Sequence, residues 1–471
     1  MQYERLRHLE LPSGSILREF FEGIPMMSLR RLVTLAATFT LIVAQLVSVG
    51  GGAQASDQKT FLAWANAGYS GTAGTDFAVG YSAISASRIG NSQNTRQWLS
   101  GAQSRGGFLS EPTDMVMDSA KGWVYWIDDY GVERASVGGC AITQRCNVNL
   151  YGTFELTGHL PEYEYVTGLT LDSTRNYLYV GIYNLNLRTY QIVKLKADGS
   201  SVPSDASVLS SAQSIAGRSG IGSIVEFEGK LYFTVDGAGT TDSISWASLT
   251  SSAHGDLAIS DSVVNRPWGL AVDVKNRALY WANWESGGDP AGSISKWDFG
   301  TGLASDLYTA STCPSSLRGP AGVAVDSSTG KIYWGNFNGG DPGAGNVSGS
   351  ACSPVDTSGA PNRQQASVAL IKSPTLKSAP AVTFTKRKHA ILSCTTGTWL
   401  ADVEASRLYQ APQTSKFVFS WKRNGKPVAG VASKLRANKS GSYTCSVKAS
   451  NYAGSVTANS AAIKVTAEQA K

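Results

Sequence analysis

The stretch that decides the fold occurs twice in succession: Gly269-Leu-Ala-Val-Asp273 followed by Ala278-Leu-Tyr-Trp281, and Gly322-Val-Ala-Val-Asp326 followed by Lys331-Ile-Tyr-Trp334. Each phrase reads as a β-hairpin. A short apolar strand ends in Asp, a turn of four residues follows, and an aromatic strand returns. Asp suits the turn because its side chain accepts hydrogen bonds from backbone amides two residues on. Successive side chains of a strand point to opposite faces, so adjacent Tyr and Trp demand cover on both sides. Outward from this pair the phrase recurs as Asp114-Met-Val-Met-Asp118 with Trp123-Val-Tyr-Trp126, as Gly168-Leu-Thr-Leu-Asp172 with Tyr177-Leu-Tyr-Val180, and as Gly222-Ser-Ile-Val225 with Lys230-Leu-Tyr-Phe233. The shared tyrosines, 125, 179, 232, 280 and 333, are 54, 53, 48 and 53 residues apart. Phe61-Leu-Ala-Trp64 is a degenerate sixth copy, with Trp64 in the place of Trp126, Trp281 and Trp334.

A hairpin that needs cover on both faces is satisfied when each copy stands between two others, as in a β-propeller. The glycine that opens the first strand then fits a crowded place near the axis. Weaker alternating runs, Ile84-Ser-Ala-Ser87 and Ile294-Ser-Lys-Trp297, supply outer strands. Residues 60–370 contain no helical periodicity. The phrases resemble the YWTD repeats of the low-density lipoprotein receptor family, and that resemblance implies a six-bladed propeller. The chain departs from the pattern in replacing the final Thr-Asp by Ile127-Asp128, Gly181-Ile182, Thr234-Val235, Ala282-Asn283 and Gly335-Asn336. Glu226 also stands where Asp is expected. The receptors' ligand specificity is therefore not carried over.

The character changes after residue 370. Residues 371–471 hold 16 Lys+Arg against 3 Asp+Glu, whereas residues 56–370 hold 20 against 28. Ser373 to Pro380 reads as a linker. Beyond it, Leu392-Ser-Cys394, Phe417-Val-Phe-Ser-Trp421 and Ser442-Tyr-Thr-Cys445 give a Cys, Trp and Tyr-x-Cys framework. That framework resembles the Ig-like modules of exported bacterial surface proteins, and it implies a disulfide between sheets, packed on a buried Trp, with Tyr443 as a tyrosine corner. Trp421-Lys-Arg-Asn-Gly425 reads as a tight turn and Asn451-Tyr-Ala-Gly454 as a hairpin loop. The expected fold class is all-β: a six-bladed β-propeller followed by an immunoglobulin-like β-sandwich. The expected divisions are 1–55, 56–372, 373–380 and 381–471.

Composition supports this reading. With 471 residues, 42% hydrophobic, 16% charged and 50 glycines in no triplet period, the chain is neither disordered, coiled coil nor collagen. Arg30 and Arg31, an uncharged apolar run from Leu32 to Val49, and Ala53-Gln54-Ala55 form an export signal with cleavage expected near Ser56. An uncleaved anchor is the competing reading. Six cysteines without a CxxC doublet fit disulfides, for which 15 pairings exist. The favoured set is Cys140–Cys146, Cys313–Cys352 and Cys394–Cys445, each within one structural unit or between neighbours.

No nucleophile–base pair, phosphate loop or metal motif is present. The exported region has only His159, His254 and His389, at no ligating spacing. No catalytic residue, metal or cofactor is therefore expected, and no nucleic acid. The alternative is an extracellular propeller enzyme of the streptogramin lyase or gluconolactonase type, with a metal at the channel mouth. The segments leading into the first strands carry Glu111, Glu164, Arg218, Arg266 and Arg318, with Tyr165 and Trp268 beside them. These residues are expected to form acidic and basic half-rings around one mouth of the channel. Such a mouth suits a peptide, polysaccharide or small charged molecule of the envelope or exterior. Ion pairs that merely fix neighbouring blades are the competing reading. Gly287-Gly-Asp-Pro290 and Gly339-Gly-Asp-Pro342 read as turns, with calcium ligation the rarer use of such a pattern. Lys386-Arg-Lys388 and Lys422-Arg423 suggest an anionic surface as partner for the tail.

Overall fold

The computed structural model describes residues 60–67, 83–89, 91–100, 112–118, 121–128, 131–137, 148–152, 164–172, 175–184, 186–200, 207–214, 220–237, 242–260, 262–284, 292–357, 365–386, 389–400, 403–404 and 416–471. The export segment, Glu111, Arg218, the Cys140–Cys146 pair, His159 and the 287–290 motif lie outside them. Among the described residues the regular elements are strands, and no helix is long and apolar enough to cross a membrane.

Every tyrosine phrase becomes the first two strands of an antiparallel sheet. Residues 114–152, 164–214, 221–256, 267–309 and 320–354 each form one four-stranded sheet in sequence order. Ala278–Asn283, for example, pairs with Pro267–Asp273 on one side and with Ser293–Asp298 on the other. A further sheet joins the two ends of this region. Gln365–Lys372 takes the place of a first strand, Thr60–Asn66 the second, and Ala83–Arg88 and Asn91–Ser100 the outer two, with Val403–Glu404 added beside Gln365–Lys372 as a fifth strand. The first strands touch one another in chain order, and Gln365–Lys372 touches both Pro320–Asp326 and Asp114–Asp118. This cycle is a β-propeller.

The aromatic pairs explain the cycle. Tyr280 packs in the cluster containing Val323, Ile332 and Trp334 of the following sheet, while Trp281 packs with Val225 and Phe227 of the preceding one. Tyr333 and Trp334 divide in the same way, the Tyr toward Trp64 and Val368 and the Trp toward Tyr280 and Tyr308. Burying each such ring stabilises the cycle by about 2–3 kcal/mol. The crowding expected of the first-strand glycine is present: a Cβ on Gly269 would lie 2.1 Å from the Ala321 carbonyl oxygen, and one on Gly322 2.5 Å from the Ser367 Cα. The turn carboxylates hold their turns: Asp118, Asp172 and Asp273 accept from the amides of Lys121, Arg175 and Asn276, three residues on, and Asp326 accepts from Ser328 N, two on. Glu226 takes the same role with a longer bond, 3.3 Å, from Gly229 N.

The remaining chain, from Leu376 onward, forms sheets that face one another across a separate core. Val382–Lys386, Ile391–Cys394 and Lys434–Arg436 make one sheet. Lys416–Arg423, Lys426–Val428, Gly441–Asn451, Gly454–Asn459 and Ile463–Val465 make the other. Cys394 and Cys445 are disulfide-bonded between these sheets and pack in one core cluster with Trp421. Tyr443 donates its hydroxyl to the Lys439 carbonyl at 2.7 Å. Asn424 and Gly425 have φ of 50° and 78°, the tight turn expected there. Cys313 is bonded to Cys352, so both of the described disulfides match the sequence pairing.

Residues 373–380 are not a free tether. Leu376–Ser378 pairs with Thr398–Trp399, and Ser373 is buried. Residues 52–471 form one compact unit. The 451–454 hairpin meets the closing sheet directly: Asn451 Nδ2 donates to the Lys372 carbonyl at 2.7 Å, and Tyr452 meets Phe61 edge-on at 5.3 Å.

Candidate functional site

First strands begin, and second strands end, at the same end of the cycle. Three aromatic side chains collect there from two consecutive sheets. Trp268 lies at the start of Pro267–Asp273, Trp284 directly follows Ala278–Asn283, and Phe337 directly follows Lys331–Asn336. Their ring centroids are 6.1 Å apart for Trp268–Trp284, 5.8 Å for Trp268–Phe337 and 5.3 Å for Trp284–Phe337. All three are half-buried.

Arg266 completes the cluster. Its guanidinium stacks over Trp284 at 4.4 Å and pairs with Asp236 of the preceding sheet at 3.6 Å. The backbone at Arg266 is left-handed, with φ of 48°. Its counterpart in the next repeat is Gly319, with φ of 60°. A side chain in that region costs about 1–2 kcal/mol, so the chain keeps an arginine where its own repeat uses glycine. The surroundings enforce the conformation. Arg266 N donates to Asp242 Oδ2 at 2.6 Å, and Trp284 N donates to the Arg266 carbonyl at 3.1 Å.

The motif's final position supplies the scaffold beneath. Asn283 Oδ1 accepts from Asn265 N at 3.0 Å, and Asn336 Oδ1 accepts from Arg318 N at 3.1 Å. These matching bonds align Arg318 with Asn265, so the two expected arginines occupy successive rather than equivalent positions. Arg318 is exposed and Arg266 is three-quarters buried. Structure thus brings Arg266 and Trp268 together and places Arg318 next to Gly319, which packs under Trp284. Glu164 and Tyr165 begin the strand Glu164–Asp172, and only their backbone is described. Trp284, Phe337 and Asp236 were not among the expected residues. An aromatic directly after the motif Asn in two consecutive repeats was the available signal.

Gly339-Gly-Asp-Pro342 is a turn: Asp341 Oδ1 accepts from the Thr357 hydroxyl, and its carbonyl accepts from Asn336 Nδ2 at 2.7 Å. No group of three or more His, Cys, Asp or Glu suited to a metal occurs among the described residues. Burial, followed by the strand-ending Asp118, Asp172 and Asp326, pushes the hydroxyls of Tyr125, Tyr179 and Tyr333 up to about 12. These tyrosines stay neutral and serve packing.

No family model matches the chain, and no curated protein matches it. Among solved structures it is similar to a nidogen/laminin complex, at 17% identity and a TM-score of 0.46, covering 65% of this chain and 96% of that one. It is also similar to TolB from Agrobacterium tumefaciens, at 8% identity and 0.40, covering 64% and 89%. The GH74 enzyme of Niastella koreensis matches at 13% identity and 0.35, covering 73% and 65%.

Proposed function

We propose that this chain is an exported, non-catalytic recognition protein: a six-bladed YWTD-type propeller that presents one rim to a ligand, followed by a basic Ig-like module that helps hold it at the cell envelope. Six sheets whose first strands touch in a closed cycle support the six-bladed reading. The disulfide over Trp421 and the Tyr443 hydroxyl bond support the Ig-like one. Two disulfides fit an oxidising compartment.

One observation carries the recognition role. Trp268, Trp284 and Phe337 are gathered, part-exposed, beside an arginine whose backbone is held left-handed. Packing alone would bury the rings and use glycine, as the next repeat does at Gly319. Clustered Trp with Arg is the composition of binding hot spots.

The test is a screen of displayed random peptides and charged oligosaccharides against the full chain. Ligands that bind the native chain and are lost, by at least about 2 kcal/mol, in both Trp268→Ala and Trp284→Ala support the rim. A screen in which every ligand found is retained by both variants at unchanged melting temperature refutes it.

A further inference from the structure

The C-terminal sandwich carries a surface that its own fold does not use. Between Glu404 and Glu468 the chain has ten Lys and Arg and no Asp or Glu. Folded domains ordinarily intersperse the two signs, because like charges at close quarters weaken the compact state.

Strand alternation decides where these cations point. In Lys416–Arg423, Phe417, Phe419 and Trp421 pack on the core, leaving Val418, Ser420 and Lys422 exposed on the other face. In Gly441–Asn451, Tyr443, Cys445 and Val447 pack inward, while Ser442 and Lys448 are exposed outward with Thr444 between them. Lys464 and Thr457 extend the same outer face. The register sets Lys448 opposite Val418, Lys422 opposite Thr444 and Lys464 opposite Ser442. By strand geometry Lys422 then lies about 14 Å from Lys448 and about 12 Å from Lys464. Among the described residues no ion pair involves any of the three.

We infer that this face docks an acidic polysaccharide, a polymer whose carboxylates recur along a hydroxyl-bearing chain. The inference rests on reading the tail as a localising module and names the face and the partner. Three cations at such intervals are too far apart to share one small anion, yet each can meet a successive charge of a polymer. Ser420, Ser442, Thr444, Thr457 and Asn459 fill the intervals with groups that both donate to and accept from sugar hydroxyls. The outward cations are lysines, which act as point charges, and not the arginine forks that grip phosphate in two places. The outward positions carry no aromatic ring on which a nucleic-acid base would stack.

The experiment measures binding of polygalacturonate to the full chain at low and high salt. Native chain is expected to bind and to weaken with salt. A triple variant, Lys422→Gln, Lys448→Gln and Lys464→Gln, is expected to lose at least about tenfold, the combined effect of three screened charges. Lys434→Gln with Arg436→Gln, on the opposite sheet, and Trp284→Ala, on the propeller rim, are expected to bind as the native chain does. Dextran, which is neutral, is expected not to bind, and poly-glutamate and polyphosphate to bind more weakly. No binding of polygalacturonate at low salt overturns the inference, as does equal loss in the opposite-sheet pair. Equal or tighter binding of poly-glutamate or polyphosphate refutes the role given to the hydroxyls. Loss in Trp284→Ala moves the polymer to the rim, which overturns this face while leaving recognition by the propeller standing.

Discussion

Replacing Asp114 tests how the cycle closes. At the crowded position of the first strand, four sheets carry Gly168, Gly222, Gly269 and Gly322, whereas the remaining two carry Asp114 and Ser367. These exceptions meet. Asp114 Oδ1 accepts from the Ser367 hydroxyl at 2.9 Å and from Met115 N at 2.8 Å, and Oδ2 accepts from Leu169 N at 2.9 Å. One buried carboxylate therefore ties the closing strand to the second sheet across the first. Asp114→Ala removes two charge-assisted bonds between sheets, each about 1.5–3 kcal/mol, and leaves the Leu169 N–H without this partner. Relief of a buried charge offsets part of this, so the expected loss is about 3 kcal/mol. Asp114→Asn retains one acceptor oxygen but must turn its amide toward either Leu169 N or the Oδ1 partners, for an expected loss of about 1–3 kcal/mol. Urea titration followed by tryptophan fluorescence reads both, and Ser367→Ala completes a double-mutant cycle with Asp114→Ala. A change below about 1 kcal/mol in Asp114→Ala, or additive effects of the two substitutions, refutes the latch.

Two further substitutions probe charges in the same framework. Burial alone would raise the Asp326 carboxyl, but the Lys372 ammonium at 2.9 Å and hydrogen bonds from Ser328 hold it below the ordinary carboxylate value. Its contribution is therefore present above that value and lost as pH falls through the lower folded one. Lys372→Met is expected to cost about 2–3 kcal/mol near pH 7 and progressively less below about pH 4; a pH-independent difference in urea midpoint counts against the pairing. Glu226 is shifted the other way, raised chiefly by burial and then by Asp172, against a lowering bond from Gly229. The fold favours its protonated form, so stability from it is full in acid and declines as pH rises. Glu226→Gln is expected to raise the melting temperature at pH 7 and to leave it unchanged near pH 3, and the reverse order would show that the ionised form is the stabilised one.

The phrases with Gly, Asp, Tyr and Trp made most of the propeller legible, because each residue answers a local need. Glycine makes room for the next strand, the carboxylate holds the turn, and the ring pair covers both faces. Trp64 was legible for the same reason. Its partner Gln365–Lys372 was not: Ser367 replaces the glycine, Ile371 replaces the Asp, and the pairing joins residues some three hundred apart. Within the rim, Arg266 and Trp268 were legible by their offset from the strand. Arg266 and Arg318 looked equivalent because offset is a one-dimensional measure; the bonds to Asn283 and Asn336 show a shift of one residue. Trp284 and Phe337 read in sequence as two more apolar residues, and only the folded chain brings them together with Trp268.

The closing sheet is where both extremes of the propeller and the sandwich converge. A cycle of like units has one seam, and its strands are held by nonlocal pairing alone. Here the seam receives four separate supports. Asp114 bonds across it from within the cycle, and Lys372 reaches Asp326 in the sheet before it. From outside, the 451–454 hairpin covers Phe61 and caps the Lys372 carbonyl, while residues 403–404 pair with Leu370 and Ile371. The sandwich thus clasps the strand whose loss would open the cycle, and a single compact unit results. That coupling fixes the sandwich relative to the rim. The lysine face and the aromatic rim are then carried on one body, so a polymer held by the first sets the orientation of the second.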